Sequence, residues 1–250
     1  MSRLSVDITI PVLNEEHSLP HCIATLTNHL SEGVDADWDW SVTIADNGSE
    51  DATPEVGRQL SDDYPNVRLT RLEQRGRGRA LKKAWLESDA DVRCFMDVDL
   101  STQLDSLEPL VDAIGRDGYD VSIGSRLLPD SRVERRTLKR EVVSRSYNAL
   151  IRLMFPRKTF RDAQCGFKAV SREVADEVVP HVENTGWFFD TELLLLSLRA
   201  GYKIKEIPVH WVDDPDTRVR VVSTAIEDIK GLLRVRFSPA NVRGSKADVG

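Results

Sequence analysis

Short apolar, β-rich runs alternate with amphipathic helical stretches through the first half of this chain, and that alternation limits its fold more than any other feature. The runs at residues 6–13, 41–46, 67–72, 92–96 and 121–124 have the length and composition of strands. Between them, 19–30, 53–61, 78–88 and 105–115 have helical periodicity. Such alternation predicts an α/β fold, a mostly parallel, Rossmann-like central sheet with helices on both faces. The 250 residues suit one domain of this kind, and a chain this long buries a core without staples. In such sheets ligands bind beyond the carboxyl ends of the strands, so the loops after these runs are where chemistry is expected.

The second half is less regular. Residues 139–155 form an amphipathic helix in which Val143, Tyr147, Leu150 and Met154 share the stretch with Arg140, Arg145 and Arg152. The segment RDAQCGFKA reads as a loop, followed by helices from 172 and over 191–200, a strand over 204–211 and a last helix over 221–237. One domain over 1–237 is expected, with a nucleotide-binding half to about 125, an acceptor half beyond it and a flexible tail at 238–250. A net charge of −7 asks for no nucleic acid. Cys22, Cys94 and Cys165 are odd in number and far apart, which fits reduced thiols and no disulfide framework. No apolar run approaches the roughly 18–20 residues of a bilayer span. The expected location is cytoplasmic, peripheral on the cytoplasmic face of a membrane.

Four strand-end loops carry the chemistry-bearing residues. Asp97-Val98-Asp99 follows the run at 92–96, and residues two apart on a strand share a face. Two carboxylates there make a hard oxygen site for Mg²⁺ or Mn²⁺ bridging phosphates, although a solvated turn or helix cap has the same composition. PVLNEE places Pro11, Asn14 and Glu15 at the end of the first run, where helix capping is the alternative. ADNGS places Asp46 at the end of the second, in a possible Asn-Gly turn. RGRGRA, with Arg75, Gly76, Arg77 and Gly78, lacks the third glycine of a dinucleotide fingerprint but opens a helix with glycines beside arginines.

In this order, PVLNEE, ADNGS, RGRGRA and DVD resemble the family-2 glycosyltransferases of GT-A fold. Gly124-Ser125-Arg126, Arg140 to Ser144, RDAQCGFKA and WFFDTELL resemble the polyprenyl-phosphate sugar synthases within them, dolichyl-phosphate β-glucosyltransferase first and dolichyl-phosphate mannose synthase next. The resemblance implies an inverting transfer of a hexose, glucose before mannose, from a nucleotide-sugar donor such as UDP-glucose to a lipid phosphate. It implies that Pro11, Asn14, Glu15, Asp46, Arg75, Gly76, Arg77, Gly78 and Val98 surround the donor. Asp97 and Asp99 would hold the cation, and Arg126, Arg140 and Ser144 the acceptor phosphate. Asp162 and Gln164 would line the sugar and acceptor side, and Asp190 would serve as base or sugar anchor. Asn47, Gln74 and Leu100 depart from the family pattern, where many relatives have Asp, Asn and Gly. A transferase acting on a cell-wall or soluble sugar, and a non-catalytic nucleotide-sugar-binding module, are the competing readings. The module usually lacks one of the two aspartates; a nucleotidylyltransferase would have a glycine-rich loop where PVLNEE stands.

Overall fold

The computed structural model describes residues 3–32, 38–135, 137–213 and 221–238. Its centre is a seven-stranded sheet in the order β3-β2-β1-β4-β7-β5-β8. The strands are β1 (Leu4–Val12), β2 (Trp38–Asn47), β3 (Val67–Leu72), β4 (Val92–Met96), β5 (Val121–Ser125), β7 (Phe167–Ser171) and β8 (Ile204–Pro208). Short β6 (Arg132–Glu134) and β9 (His210–Val212) pair beside it in parallel. The helices are α1 (Leu19–Glu32), α2 (Thr53–Asp63), α3 (Arg77–Leu86), α4 (Leu107–Gly115), α5 (Leu138–Met154), α6 (Arg172–Glu177), α7 (Phe189–Arg199) and α8 (Val221–Phe237).

Neighbouring residues on a strand face opposite sides, and the core divides accordingly. Cys94 and Met96 join one buried cluster with Ile8, Ile10 and Leu26, while Phe95 joins the other with Trp85, Phe189 and Leu194. Trp85 is fully buried, with ring centroids 5.9 Å from Phe95 and 6.2 Å from Phe189, and its Nε1 donates to the Cys94 carbonyl at 3.3 Å. Two helix starts are capped: the Thr137 side chain accepts from Arg140 N, and that of Ser171 from Val174 N.

Three local expectations are corrected. The run expected at 41–46 is longer: β2 begins at Trp38 and takes in Trp40. The run at 204–211 is two strands, because proline has no N–H for a ladder: β8 ends at Pro208 and the chain leaves for β9. RDAQCGFKA is not all loop, since Phe167–Ser171 is a central strand antiparallel to both β4 and β5. The expected tail, apart from Ser238, lies outside the described residues.

Candidate active site

Parallel pairing of β1 and β2 sets Val12 beside Asp46 and Pro11 beside Ala45, so their loops leave the sheet together. Asn14, at φ 55°, donates its N–H to Ser49 Oγ (2.9 Å) and accepts at Oδ1 from Glu50 N (2.9 Å). Glu15 N donates to Thr53 Oγ1 at 2.8 Å. Asp46 is fully buried; its Oδ1 accepts from Ser49 N at 3.0 Å, and Arg71 Nε lies 3.3 Å from Oδ2. Pro11 and Asp46 thus lie at the ends of β1 and β2, and Asn14 and Glu15 stand in the loop after β1, laced to the loop after β2. Asn47 joins the next loop to them by accepting from Gly76 N.

The glycines of RGRGRA make room for protein. A Cβ on Gly76, at φ 150°, would come 2.6 Å from the Thr185 carbonyl oxygen, and one on Gly78 would come 2.6 Å from Phe189 Cβ. Arg75 pairs with Glu50 at 2.8 Å. Arg77 turns inward. Its Nη2 lies 2.9 Å from Asp97 Oδ1, its Nη1 2.7 Å from Asp190 Oδ2, and its guanidinium sits between the rings of Phe95 (4.8 Å) and Trp187 (5.0 Å). Burial works against its charge, but the carboxylates of Asp190 and Asp97 prevail and hold its pKa above the ordinary arginine value.

β7 is antiparallel, so its beginning meets the carboxyl ends of β4 and β5. Met96 pairs with Phe167, which puts Gly166 directly against Asp97. Fully buried Lys168 holds Asp190 from below, with Nζ 3.0 Å from Oδ1. Asp162, also fully buried, grips Arg126 through two contacts, Nε–Oδ2 at 2.8 Å and Nη2–Oδ1 at 3.0 Å. The Arg126 guanidinium lies 4.8 Å from the Trp211 ring. Burial alone would raise the Asp162 carboxyl, yet the charge and hydrogen bonds of Arg126 bring it down to about 2. Arg140 pairs with Asp213 just past β9. Ser144, one turn along α5, is buried with no hydrogen-bond partner for Oγ among the described residues. Gln164 Nε2 donates to Asp228 Oδ2 of α8 at 3.1 Å.

Asp99 is exposed, and its Oδ1 accepts from Ser101 N at 2.9 Å. It borders a cavity of about 520 Å³ shared with His21, Arg135 and Asp213. Leu100 follows at φ 53°, a backbone state glycine adopts freely. Burial first, then the charges of Asp99, Asp97 and Glu15, push the Cys22 thiol at the start of α1 up to about 12. Among the described residues no group of three or more His, Cys, Asp or Glu could hold a metal ion. Two aspartates fit a cation of the magnesium type, which takes the rest of its shell from substrate phosphates and water.

The structure gathers the loops after β1, β2, β4 and β5 with the start of β7 and the start of α7. Arg126 and Asp162 form a second ion pair, within reach of the charges of Asp97 and Lys168. Sequence reasoning missed Lys168, Gly166, Trp187 and Asp228. A lysine inside the apolar run FKAV was the available signal for the first.

Residues 7–179 match Glycosyl transferase family 2. The glycosyltransferase AglD of Haloferax volcanii is 38% identical over 230 residues, covering 92% of this chain. The chain spans only 36% of that protein's length. The dolichyl-phosphate beta-glucosyltransferase of Saccharomyces cerevisiae is 26% identical over 254 residues, 94% of this chain and 75% of that one. Among solved structures, glucosyl-3-phosphoglycerate synthase from Mycobacterium tuberculosis in complex with UDP superposes with a TM-score of 0.72 at 21% identity, over 96% of this chain and 82% of that one. That likeness concerns the fold, and it agrees with the mostly parallel sheet covered on both faces. The chain belongs to glycosyl transferase family 2 and has its GT-A fold.

Proposed function

We propose that the chain is an inverting hexosyltransferase that moves glucose, or next mannose, from a nucleoside diphosphate sugar to a dolichyl or polyprenyl phosphate. The observation that carries the acceptor class is the state of Asp190. Arg77 and Lys168 hold its two oxygens at 2.7 and 3.0 Å. With each oxygen turned to a buried cation, this carboxylate is placed as an anchor. A phosphate acceptor needs no base, because it is already an anion near neutral pH. The names of the relatives, dolichyl-phosphate beta-glucosyltransferase among them, support the same class.

In this reading the strand ends and loops that carry Pro11, Asn14, Glu15 and Asp46 take the nucleoside, with Arg75 beside it. Asp97 and Asp99 would hold Mg²⁺ or Mn²⁺, which when bound would neutralise charge on the leaving diphosphate. Arg77 keeps Asp97 in one rotamer. Arg126 spends Nε and Nη2 on Asp162, which leaves the Nη1 edge for a phosphate oxygen. Arg140 and Ser144, four apart on α5, face the same way. The acceptor phosphate attacks the anomeric carbon from the side opposite the diphosphate, so an α-linked donor yields a β-linked product.

The test is transfer from a panel of nucleotide sugars to a polyprenyl phosphate, the matching free polyprenol and soluble sugars, with product anomers assigned by NMR. A β-linked lipid-phosphate product from UDP-glucose is expected. Equal glycosylation of the free alcohol would sink the acceptor assignment and favour the soluble-acceptor reading. Asp99→Asn should abolish the metal-dependent transfer while the protein stays folded, and full activity in excess chelator would remove the cation from the scheme.

A further inference from the structure

One buried acid of α8 meets this site and is not used by the scheme above. Asp228 is 3% exposed. Its Oδ2 accepts from Gln164, and the Tyr147 hydroxyl of α5 leans on the same carboxyl. That hydroxyl also lies 3.1 Å from Thr191 Oγ1, on the residue after Asp190. Asp228 Oδ1 is buried with no hydrogen-bond partner among the described residues. Among the described residues, the ionisable groups that act on it are Glu227 on its own helix, Asp190 on α7 and Tyr147 on α5. Arg77 is shared between Asp190 and Asp97, and Lys168 pairs with Asp190.

The carboxyl has little freedom to swing into water, because α8 is pinned on both sides of it. Asn184 Nδ2 donates to Glu227 at 2.9 Å, Arg234 Nη2 donates to buried Glu192 at 2.8 Å, and Gly231 packs on Phe188. An ionised carboxylate held dry beside other acids is costly, so the neutral form is favoured. Burial first, then Glu227 and Asp190, push Asp228 up to about 7.

We propose that Asp228 is a positioning residue for glycosyl transfer: its carboxyl takes the Gln164 amide and the Tyr147 hydroxyl and sets them toward the reaction site, and on ionising it closes that site to an anionic acceptor. The second half rests on the phosphate-acceptor reading. The first half does not.

The experiment compares the full chain with Asp228→Asn, which copies the shape of the neutral acid, from about pH 5.5 to about pH 8.5. Wild-type KM for a polyprenyl phosphate should climb above about pH 7, by at most about tenfold per pH unit for one proton, with donor KM level. Asp228→Asn should lack that climb. Thermal melting is the second arm. The folded protein holds this proton more tightly than the unfolded chain, so the wild type loses stability from about pH 4 up to about pH 7. Asp228→Asn should therefore melt higher than the wild type at about pH 8, and the gap should shrink toward about pH 4. A gap independent of pH overturns the proposal, because the proton is then not held. A pH-dependent gap with a flat wild-type acceptor KM overturns it too, since the proton then has no bearing on transfer. Failure of the phosphate reading looks different: the free polyprenol is glycosylated as readily as its phosphate, and the anion clause falls while the melting arm stands. If Asp228→Asn does not fold, Tyr147→Phe answers the same question. Losing the hydroxyl that favours the ionised form should move the KM climb to higher pH, and an unmoved climb counts against the proposal.

Discussion

A methyl group on Gly166 would stand 1.8 Å from Asp97 Oδ2. The strand beneath it cannot yield, because Phe167 is paired with Met96. Asp97 would have to turn away, breaking its contact with Arg77. Gly166→Ala should therefore lower kcat by about 100-fold, the scale of a 1 Å misplacement, while overpacking costs about 1–3 kcal/mol of stability. Steady-state kinetics beside a urea melt separates the two, and retained kcat would show that Asp97 is not held in a productive rotamer. The Arg126–Asp162 pair makes a pH prediction. With its folded value lowered to about 2 from the ordinary 3.8, Asp162 stabilises the fold fully above about pH 4, and this is lost as pH falls through about 2. The wild type should lose about 2 kcal/mol across that window, and Asp162→Asn should not show this loss in acid-dependent urea unfolding.

At the level of elements, α8 and α5 decide how the acceptor half closes on the sheet. Alanine improves on glycine inside a helix by about 1 kcal/mol, yet a Cβ on Gly231 would come 2.4 Å from two carbons of the Phe188 ring. The clash wins, because the ring is fully buried and cannot step aside. Gly231→Ala should destabilise by about 1–3 kcal/mol by chemical denaturation; a rise in stability would mean that α8 is not seated there. The start of α5 is tied to β9 by Arg140 and Asp213. Arg140→Ala should weaken acceptor use by about 10- to 150-fold, the loss of one charged hydrogen bond. Donor binding should stay nearly level, and a selective rise in donor KM instead would place Arg140 on the other substrate.

Across the whole molecule, apolar side chains lie open on these same two helices. Leu138, Val142 and Leu153 of α5 are exposed, as are Ile229, Leu233 and Phe237 of α8. Arg145 and Arg236 are exposed beside them. Among the described residues no helix is long and apolar enough to cross a membrane. Surface-binding helices combine such apolar and basic groups, so the protein should bind anionic vesicles weakly, and binding should fall as salt rises. Co-sedimentation at low and high salt checks this. Binding unaffected by salt would remove the electrostatic part, and none at all with acceptor lipid present would remove the membrane contact.

The alternation of strand and helix was legible because it is local: side-chain period and turn residues lie within a few positions of each other. From it followed the sheet, the ends of β1, β2 and β4, and the place of Asp97 and Asp99. β7 escaped because a five-residue run holding Lys168 has no clear period, and only the sheet shows that this lysine faces Asp190. Pairing lay beyond reach for the same reason. Arg77 meets Asp190 across 113 positions, and Arg126 meets Asp162 across 36. Each arginine, read alone, is a free cation. Its partner is chosen by which strand lies beside which, and the antiparallel insertion of β7 between β4 and β5 is a property of the packed sheet. Asp228 belongs to the same class: its helix was predicted, but whether a carboxylate on that helix meets water or other acids depends on what α8 packs against.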